Sequence, residues 1–332
     1  FTKRAFLNGK LSLSSAEGLI DMINGESEAE VRAGYMLYGE TLKNEADGLQ
    51  AEITDILAGI DADMDFPEED IENTDLSDIA VRLKKLSAKL SSLTASYGTG
   101  RKIKQGVRVV IAGRPNTGKS SLLNALLQAE KAIVSSVPGT TRDAVEGTLE
   151  IEGVRFNLYD TAGIRESENE IENIGIARAR ALIDGADLIL FVLDGSEKMS
   201  EEDAEIYRQV ADKPKIVVSN KNDLQGEGGE KCDIRVSAKT GENIAALRAM
   251  MLEKSMAGYD TDAAFLIEKR HYDALACALA EINEAVSLCG NVPLDLLGVH
   301  LKAAWDKLGE IRVRTATEEI INEILSKFCV GK

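Results

Sequence analysis

From residue 1 to about residue 100, apolar residues recur every three or four positions and strict alternation is absent, which predicts helices. The clearest stretch is Leu76, Ile79, Leu83, Leu86, Leu90 and Leu93, one apolar seam expected to face a core. The style changes near Arg101. Short apolar runs predict strands over 107–113, 145–151, 154–160, 187–194, 215–220 and 233–237, the second and third joined by a turn at Gly153. Helical patterns at 120–128, 173–184, 201–210 and 243–252 fall between them. Such alternation predicts a mostly parallel six-stranded sheet covered on both faces, with the hairpin adding one antiparallel strand. From 258 to 332 the pattern is helical again, best at 271–287 and 317–328. The expected organisation is an α/β domain over 101–257 inserted into an all-α domain built from 1–100 and 258–332.

Composition narrows the class. Of 332 residues, 44% are hydrophobic and 29% charged, enough apolar material for a packed core. The net charge of −17 is the wrong sign for a protein that coats nucleic acid with its whole surface, so any RNA contact is expected to use a local patch or a basic partner. Four cysteines, Cys232, Cys277, Cys289 and Cys329, show no metal or disulfide spacing and fit a reducing compartment. No apolar run is long enough for a membrane span or a signal peptide, so a soluble, cytoplasmic protein is expected. The first residue is Phe1, so the chain is expected to be part of a longer one. Asp61, Asp63, Asp65, Glu68, Glu69 and Asp70 around Pro67 read as a solvated loop without the glycine-centred calcium pattern.

The chemistry lies in the middle zone. Gly113-Arg114-Pro115-Asn116-Thr117-Gly118-Lys119-Ser120 fits G-x-x-x-x-G-K-[ST], after a predicted strand and before a predicted helix. Backbone N–H groups and the helix N-terminus can cradle phosphates there, and Ser121 extends the set into the helix. Lys119 is expected to reach the β- and γ-phosphates and to act in catalysis, and the Ser120 hydroxyl to ligate Mg²⁺. Asn220-Lys221-Asn222-Asp223 follows another strand. The Asp223 carboxylate can accept from both N1–H and the 2-amino group of guanine, whereas adenine would leave it unpaired. Ser237-Ala238-Lys239 backs the base.

Between these lies Asp160-Thr161-Ala162-Gly163, with Asp160 expected on Mg²⁺ through water and the Gly163 N–H on the γ-phosphate. Gly139-Thr140-Thr141-Arg142-Asp143 is the candidate switch loop, one threonine hydroxyl being available to Mg²⁺. Together these motifs predict a GTP- and GDP-binding GTPase domain of Ras-like architecture. Ile164 stands where such domains carry a water-orienting glutamine, so another residue must supply that role.

With these residues in hand, the chain resembles the MnmE (TrmE) family of tRNA-modification GTPases. The resemblance is carried by residues 1–10, by Asp65-Phe66-Pro67-Glu68-Glu69, by the Gly-Arg-Pro-Asn-x-Gly-Lys-Ser and Gly-Thr-Thr-Arg-Asp motifs, and by the terminal Phe328-Cys329-Val330-Gly331-Lys332. It implies a Ras-like domain inserted into a helical domain, without the family's N-terminal domain, which binds 5-formyltetrahydrofolate and supports constitutive dimerisation. It also implies modification of the tRNA wobble uridine with the FAD-dependent partner MnmG in a heterotetramer, and K⁺-stimulated hydrolysis as two G domains meet. By resemblance Asn116, the Ser135 and Val137 carbonyls and Thr140 surround K⁺, Thr141 lies on Mg²⁺, and Ser136, Pro138 and Gly139 join the nucleotide site. Glu172 matches the glutamate that positions the attacking water, and Lys10 and Lys332 match folate-contact positions. Solvated lysines are the plain alternative at those two positions, and a helix-start carboxylate at Glu172. Cys329 reads either as a buried apolar residue or as part of the modification chemistry. Two other functional readings stay open: a ribosome-assembly GTPase, which would need an RNA-binding appendage, and a GTP-regulated scaffold, which would not turn over.

Overall fold

A computed structural model describes residues 2–65, 76–128, 145–160, 180–224, 232–257 and 267–311. The chain divides into two compact units, residues 1–104 with 261–332, and residues 105–260.

The first unit is helical: α1 (Thr2–Leu7), α2 (Leu13–Asn24), α3 (Glu28–Tyr38), α4 (Thr41–Asp65), α5 (Leu76–Ala95) and α6 (Tyr97–Gln105, its last residue in the second unit). The same unit continues after residue 260 with α10 (Lys269–Leu288) and α11 (Leu294–Gly309), α7 to α9 belonging to the other unit. The expected seam on α5 packs as a core stripe at Ile79, Leu83, Leu86 and Leu90, joined by Ile53, Ile56 and Ile60 of α4, Leu275 and Ile282 of α10, and Leu297, Leu301 and Leu308 of α11. Leu76 departs from it: at the first residue of α5 it is 45% exposed. α2 and α3 start on serine caps, Ser12 and Ser27, whose hydroxyls accept from the N–H groups of Ser15 and Glu30. The two helices touch backbone to backbone. A methyl group on Gly18 would stand 2.5 Å from the Gly34 carbonyl, so only glycine permits this approach.

The second unit holds a six-stranded sheet in the order β2-β3-β1-β4-β5-β6. Its strands are β1 (Val107–Ala112), β2 (Gly147–Ile151), β3 (Val154–Asp160), β4 (Leu188–Asp194), β5 (Lys215–Asn220) and β6 (Ile234–Arg235). All pairs are parallel except the β2–β3 hairpin. β4 is buried at every position, as a strand covered on both faces must be. Helices α7 (Lys119–Gln128), α8 (Glu201–Gln209) and α9 (Ile244–Ser255) complete the described elements.

Most of the described elements differ from the sequence expectation by one to three residues at an end, as where the strand expected from 145 begins at Gly147 and the helix expected over 271–287 spans Lys269–Leu288. The strand expected over 233–237 contracts to Ile234–Arg235 because the Asp233 carboxylate accepts from Val217 N–H at 2.9 Å, and Ser237 forms only an isolated bridge with Glu242. The helix expected from 243 begins at Ile244 and runs on to Ser255, with Asn243 left-handed at φ 59°. The helix expected over 317–328 and most of that expected over 173–184 lie outside the described residues.

Candidate functional site: a phosphate loop laced to a base-reading turn

The loop after β1 turns sharply into α7. Asn116 takes φ 63°, a left-handed conformation that asparagine tolerates better than most residues. Gly118 takes φ 87°, and a Cβ there would lie 2.4 Å from Asn220 Nδ2, so glycine is required twice over. Inside the loop the Arg114 carbonyl accepts from Lys119 Nζ at 2.8 Å and from Thr117 Oγ1 at 3.1 Å. Thr117 and Lys119 are buried, whereas Asn116, Ser120 and Ser121 are exposed at the mouth.

The Asn-Lys-x-Asp turn follows β5, two strands from β1. Asn220 is 1% exposed. Its Nδ2 donates to the Thr117 carbonyl at 3.0 Å, and its Oδ1 accepts from Ala238 N–H at 3.0 Å. One amide thus joins the phosphate loop, the turn and the 237–239 segment. Lys221, at φ 65°, donates to Asp194 Oδ2 at 2.6 Å. Burial works against the Asp194 anion, but the bonds from Lys221 and Ser196 outweigh it and hold the carboxyl below its usual range. Asp223 is open to solvent and accepts from Ser237 Oγ at 2.6 Å, a bond that also holds its carboxyl below the usual range. It therefore stays an anionic acceptor at neutral pH, the state that reading two guanine donors demands. Lys239 is exposed beside it.

At the other end of the loop, Ser120 Oγ donates to Asp160 Oδ2 at 2.8 Å, bringing together the two groups expected near Mg²⁺. Hydroxyl and carboxylate oxygens are the donor set of a hard divalent cation, so these residues fit the ion. Burial and then the charge of Asp160 push the Glu146 carboxyl upward, a sign of local negative potential.

Ser135, Ser136, Val137, Pro138, Gly139, Thr140, Thr141, Thr161, Ala162, Gly163, Ile164, Glu172, Cys329 and Lys332 lie outside the described residues. Lys10 is exposed after α1, lining a cavity of about 930 Å³ with Tyr38, Glu40 and Lys43 in the helical unit. The structure adds residues that the motif reading left without a role: Asp194, Ser196, and the pair Glu197 and Asp203, which ion-pair with Arg114. A buried Asp-Gly at the end of a strand was the one available signal for Asp194.

A glycine-rich loop between a central parallel strand and a helix, laced to an Asn-Lys-x-Asp turn, defines a P-loop protein of the guanine-nucleotide class. The family follows from relatives. A family model described as the MnmE helical domain matches residues 13–329. The chain is 38% identical over 350 residues to the tRNA modification GTPase MnmE of Natranaerobius thermophilus, covering 100% of this chain and 75% of that protein. It is 37% identical over 344 residues to the enzyme of the same name from Clostridioides difficile, with the same coverage. Among solved structures, Era from Aquifex aeolicus bound to GDP and aluminium fluoride aligns with 28% identity and a TM-score of 0.35, over 52% of this chain and 65% of that one. The chain belongs to the MnmE family of tRNA modification GTPases. It is a GTP-hydrolysing enzyme with a Ras-like domain inserted into that family's helical domain. Among the described residues, no helix is long and apolar enough to cross a membrane.

Proposed function

We propose that this GTPase is switched on by K⁺ through pairing of its G domains and acts in modifying the wobble uridine of tRNA, together with a flavoprotein partner of the MnmG type in a heterotetramer. The observation that carries the nucleotide part is the Asn220 amide, which ties the phosphate loop to the guanine-reading turn in one buried bond. In this reading the phosphates lie over residues 116–121, and Lys119 leaves the Arg114 carbonyl to meet them. Asp223 and Ser237 hold the guanine edge, with Asn220, Lys221, Ala238 and Lys239 forming the walls around it. Ser120, Thr141 and Asp160 would hold Mg²⁺, and Asn116, the Ser135 and Val137 carbonyls and Thr140 would hold K⁺; each ion would supply positive charge against the phosphates.

Asn116 supports this placement: its left-handed backbone leaves the side chain exposed at the loop mouth. Glu172 orients the attacking water, a role Ile164 cannot fill. Residues 135–141 and 160–163 complete the nucleotide contacts and respond to the γ-phosphate. Lys10 and Lys332 contribute to a 5-formyltetrahydrofolate site. Such a protein works in the cytoplasm, where tRNA is matured.

The test is GTP turnover in matched KCl and NaCl as a function of protein concentration. Turnover that is faster in KCl and rises per subunit with concentration is expected. Equal rates in the two salts would overturn the cation, and a rate per subunit independent of concentration in a protein shown to be monomeric would overturn the pairing.

A further inference from the structure

We propose that Arg114 is a positioning residue that braces the phosphate loop, holding its backbone in place while Lys119 moves between the loop and the nucleotide. Arg114 occupies a variable position of the glycine-rich motif, where an arginine so close to the phosphates would ordinarily invite a role as a charge donor to them. Its guanidinium is engaged elsewhere. It pairs with Glu197, and its Nε lies 3.3 Å from Asp203 Oδ2. The two carboxylates differ in kind. The Glu197 side chain is 59% exposed, and a pair of that type contributes little by itself. The Asp203 side chain is 2% exposed and cannot wander, because Oδ2 also accepts from Ser200 N–H at 3.0 Å and Ser200 Oγ at 2.7 Å in the capping box that starts α8. Arg114 is thus moored to a helix terminus.

The mooring matters because the Arg114 carbonyl is the acceptor for Lys119 and Thr117. When the ammonium of Lys119 turns to a phosphate, that carbonyl gives up its charged donor, and a loop with positive φ at Gly113, Asn116 and Gly118 is free to relax. The side-chain pairs hold it. The same 194–203 segment carries Asp194, which grips Lys221 of the base-reading turn. A single segment therefore touches both walls of the nucleotide site, and its slackening should be felt as faster nucleotide release rather than slower chemistry.

The inference rests on residues 113–120 being the phosphate loop, so Lys119→Ala is included as a check on that reading alone. The experiment measures release of a fluorescent GDP analogue, melting temperature and GTP turnover for Arg114→Met, Arg114→Lys and Glu197→Gln. Arg114→Met should release GDP about tenfold faster and melt earlier, since the buried Asp203 loses its counter-charge. Arg114→Lys restores the charge but not the two-armed geometry, so melting should recover while release stays several-fold fast. Glu197→Gln keeps the buried Asp203 arm and should change release and melting little. KM for GTP should rise in both Arg114 variants, with turnover at saturating GTP within about twofold of the parent. Full recovery of release by Arg114→Lys, or unchanged release in Arg114→Met, would reduce the residue to a structural ion pair. Collapse of turnover at saturating GTP would make it catalytic instead. Normal GDP binding by Lys119→Ala would instead sink the phosphate-loop reading itself.

Discussion

Asn220 and Thr117, 103 residues apart in the chain, share a buried hydrogen bond of 3.0 Å that joins the Asn-Lys-x-Asp turn to the glycine-rich loop. Parallel strands make it possible: β1 and β5 both end on the same side of the sheet, and the loops that follow them meet there.

Replacing Asn220 by Ala should therefore damage two partners at once. The Ala238 N–H loses its only acceptor among the bonds described, and the Thr117 carbonyl loses a donor. An unpaired buried group costs about 1–3 kcal/mol, so a clear drop in the urea midpoint and weaker GDP binding are expected. A midpoint within error of the parent would show that the bond contributes nothing.

Guanine selectivity should reside in Asp223. Asp223→Asn should weaken GTP by orders of magnitude and favour xanthosine nucleotides, whose 2-oxo group accepts from the new amide. Titration calorimetry with GTP, XTP and ATP reads this directly. Retained GTP preference in the variant would mean that another group reads the base.

Glu172→Ala should leave nucleotide affinity intact and abolish K⁺-stimulated turnover. Stopped-flow binding and phosphate release separate the two effects. Undiminished turnover would return Glu172 to the status of a helix-start charge.

The helical unit predicts a pH dependence of its own. His271 of α10 is fully buried. Its Nε2 accepts from Arg270 at 2.8 Å and lies 3.4 Å from Ser14 Oγ, with the Glu17 carboxylate 3.5 Å away. Burial, then the charges of Arg270 and Lys104, push its pKa well below 6.5, so its contribution is present above pH 6.5 and fades on acidification. Asp21 of α2 has the opposite sign. It lies 3.0 Å from Lys104, which also pairs with Glu268, and burial chiefly, with the charge of Glu268, raises its pKa from 3.8 to about 7. Its contribution is fullest below 3.8 and is lost as pH rises to 7. Glu17 is raised by burial as well and acts in the same direction as Asp21. The two trends offset each other in the parent protein. Asp21→Asn removes one of them, so its stability should fall more steeply than the parent's between pH 7 and pH 5, by a few kcal/mol at most. Parallel stability profiles from urea unfolding at pH 5, 6, 7 and 8 would contradict this.

The two motif loops were legible because each is written in consecutive residues. Residues 113–120 and 220–223 carry their chemistry in a fixed local spacing, and the strands before them announce themselves as apolar runs bounded by turns. The α5 seam was legible for a similar reason, since helical periodicity shows which face will be buried. The edges were less so: the short β6 was decided by Asp233 competing for Val217 N–H, a side-chain bond across strands that no propensity records.

The sequence by itself determined the glycine-rich loop of residues 113–120, the Asn-Lys-x-Asp turn of residues 220–223 and two helical zones, because local spacing and periodicity depend only on neighbours along the chain. Tertiary structure alone decided that Arg114 is moored to Glu197 and Asp203, that Asp194 grips Lys221, and that Glu17, Asp21, Lys104, Glu268, Arg270 and His271 gather in the helical unit. The reason is physical. An ion pair or a buried amide bond forms only when folding brings distant segments to within about 3 Å and removes water from around them, and neither condition leaves a mark on the spacing of residues in the chain.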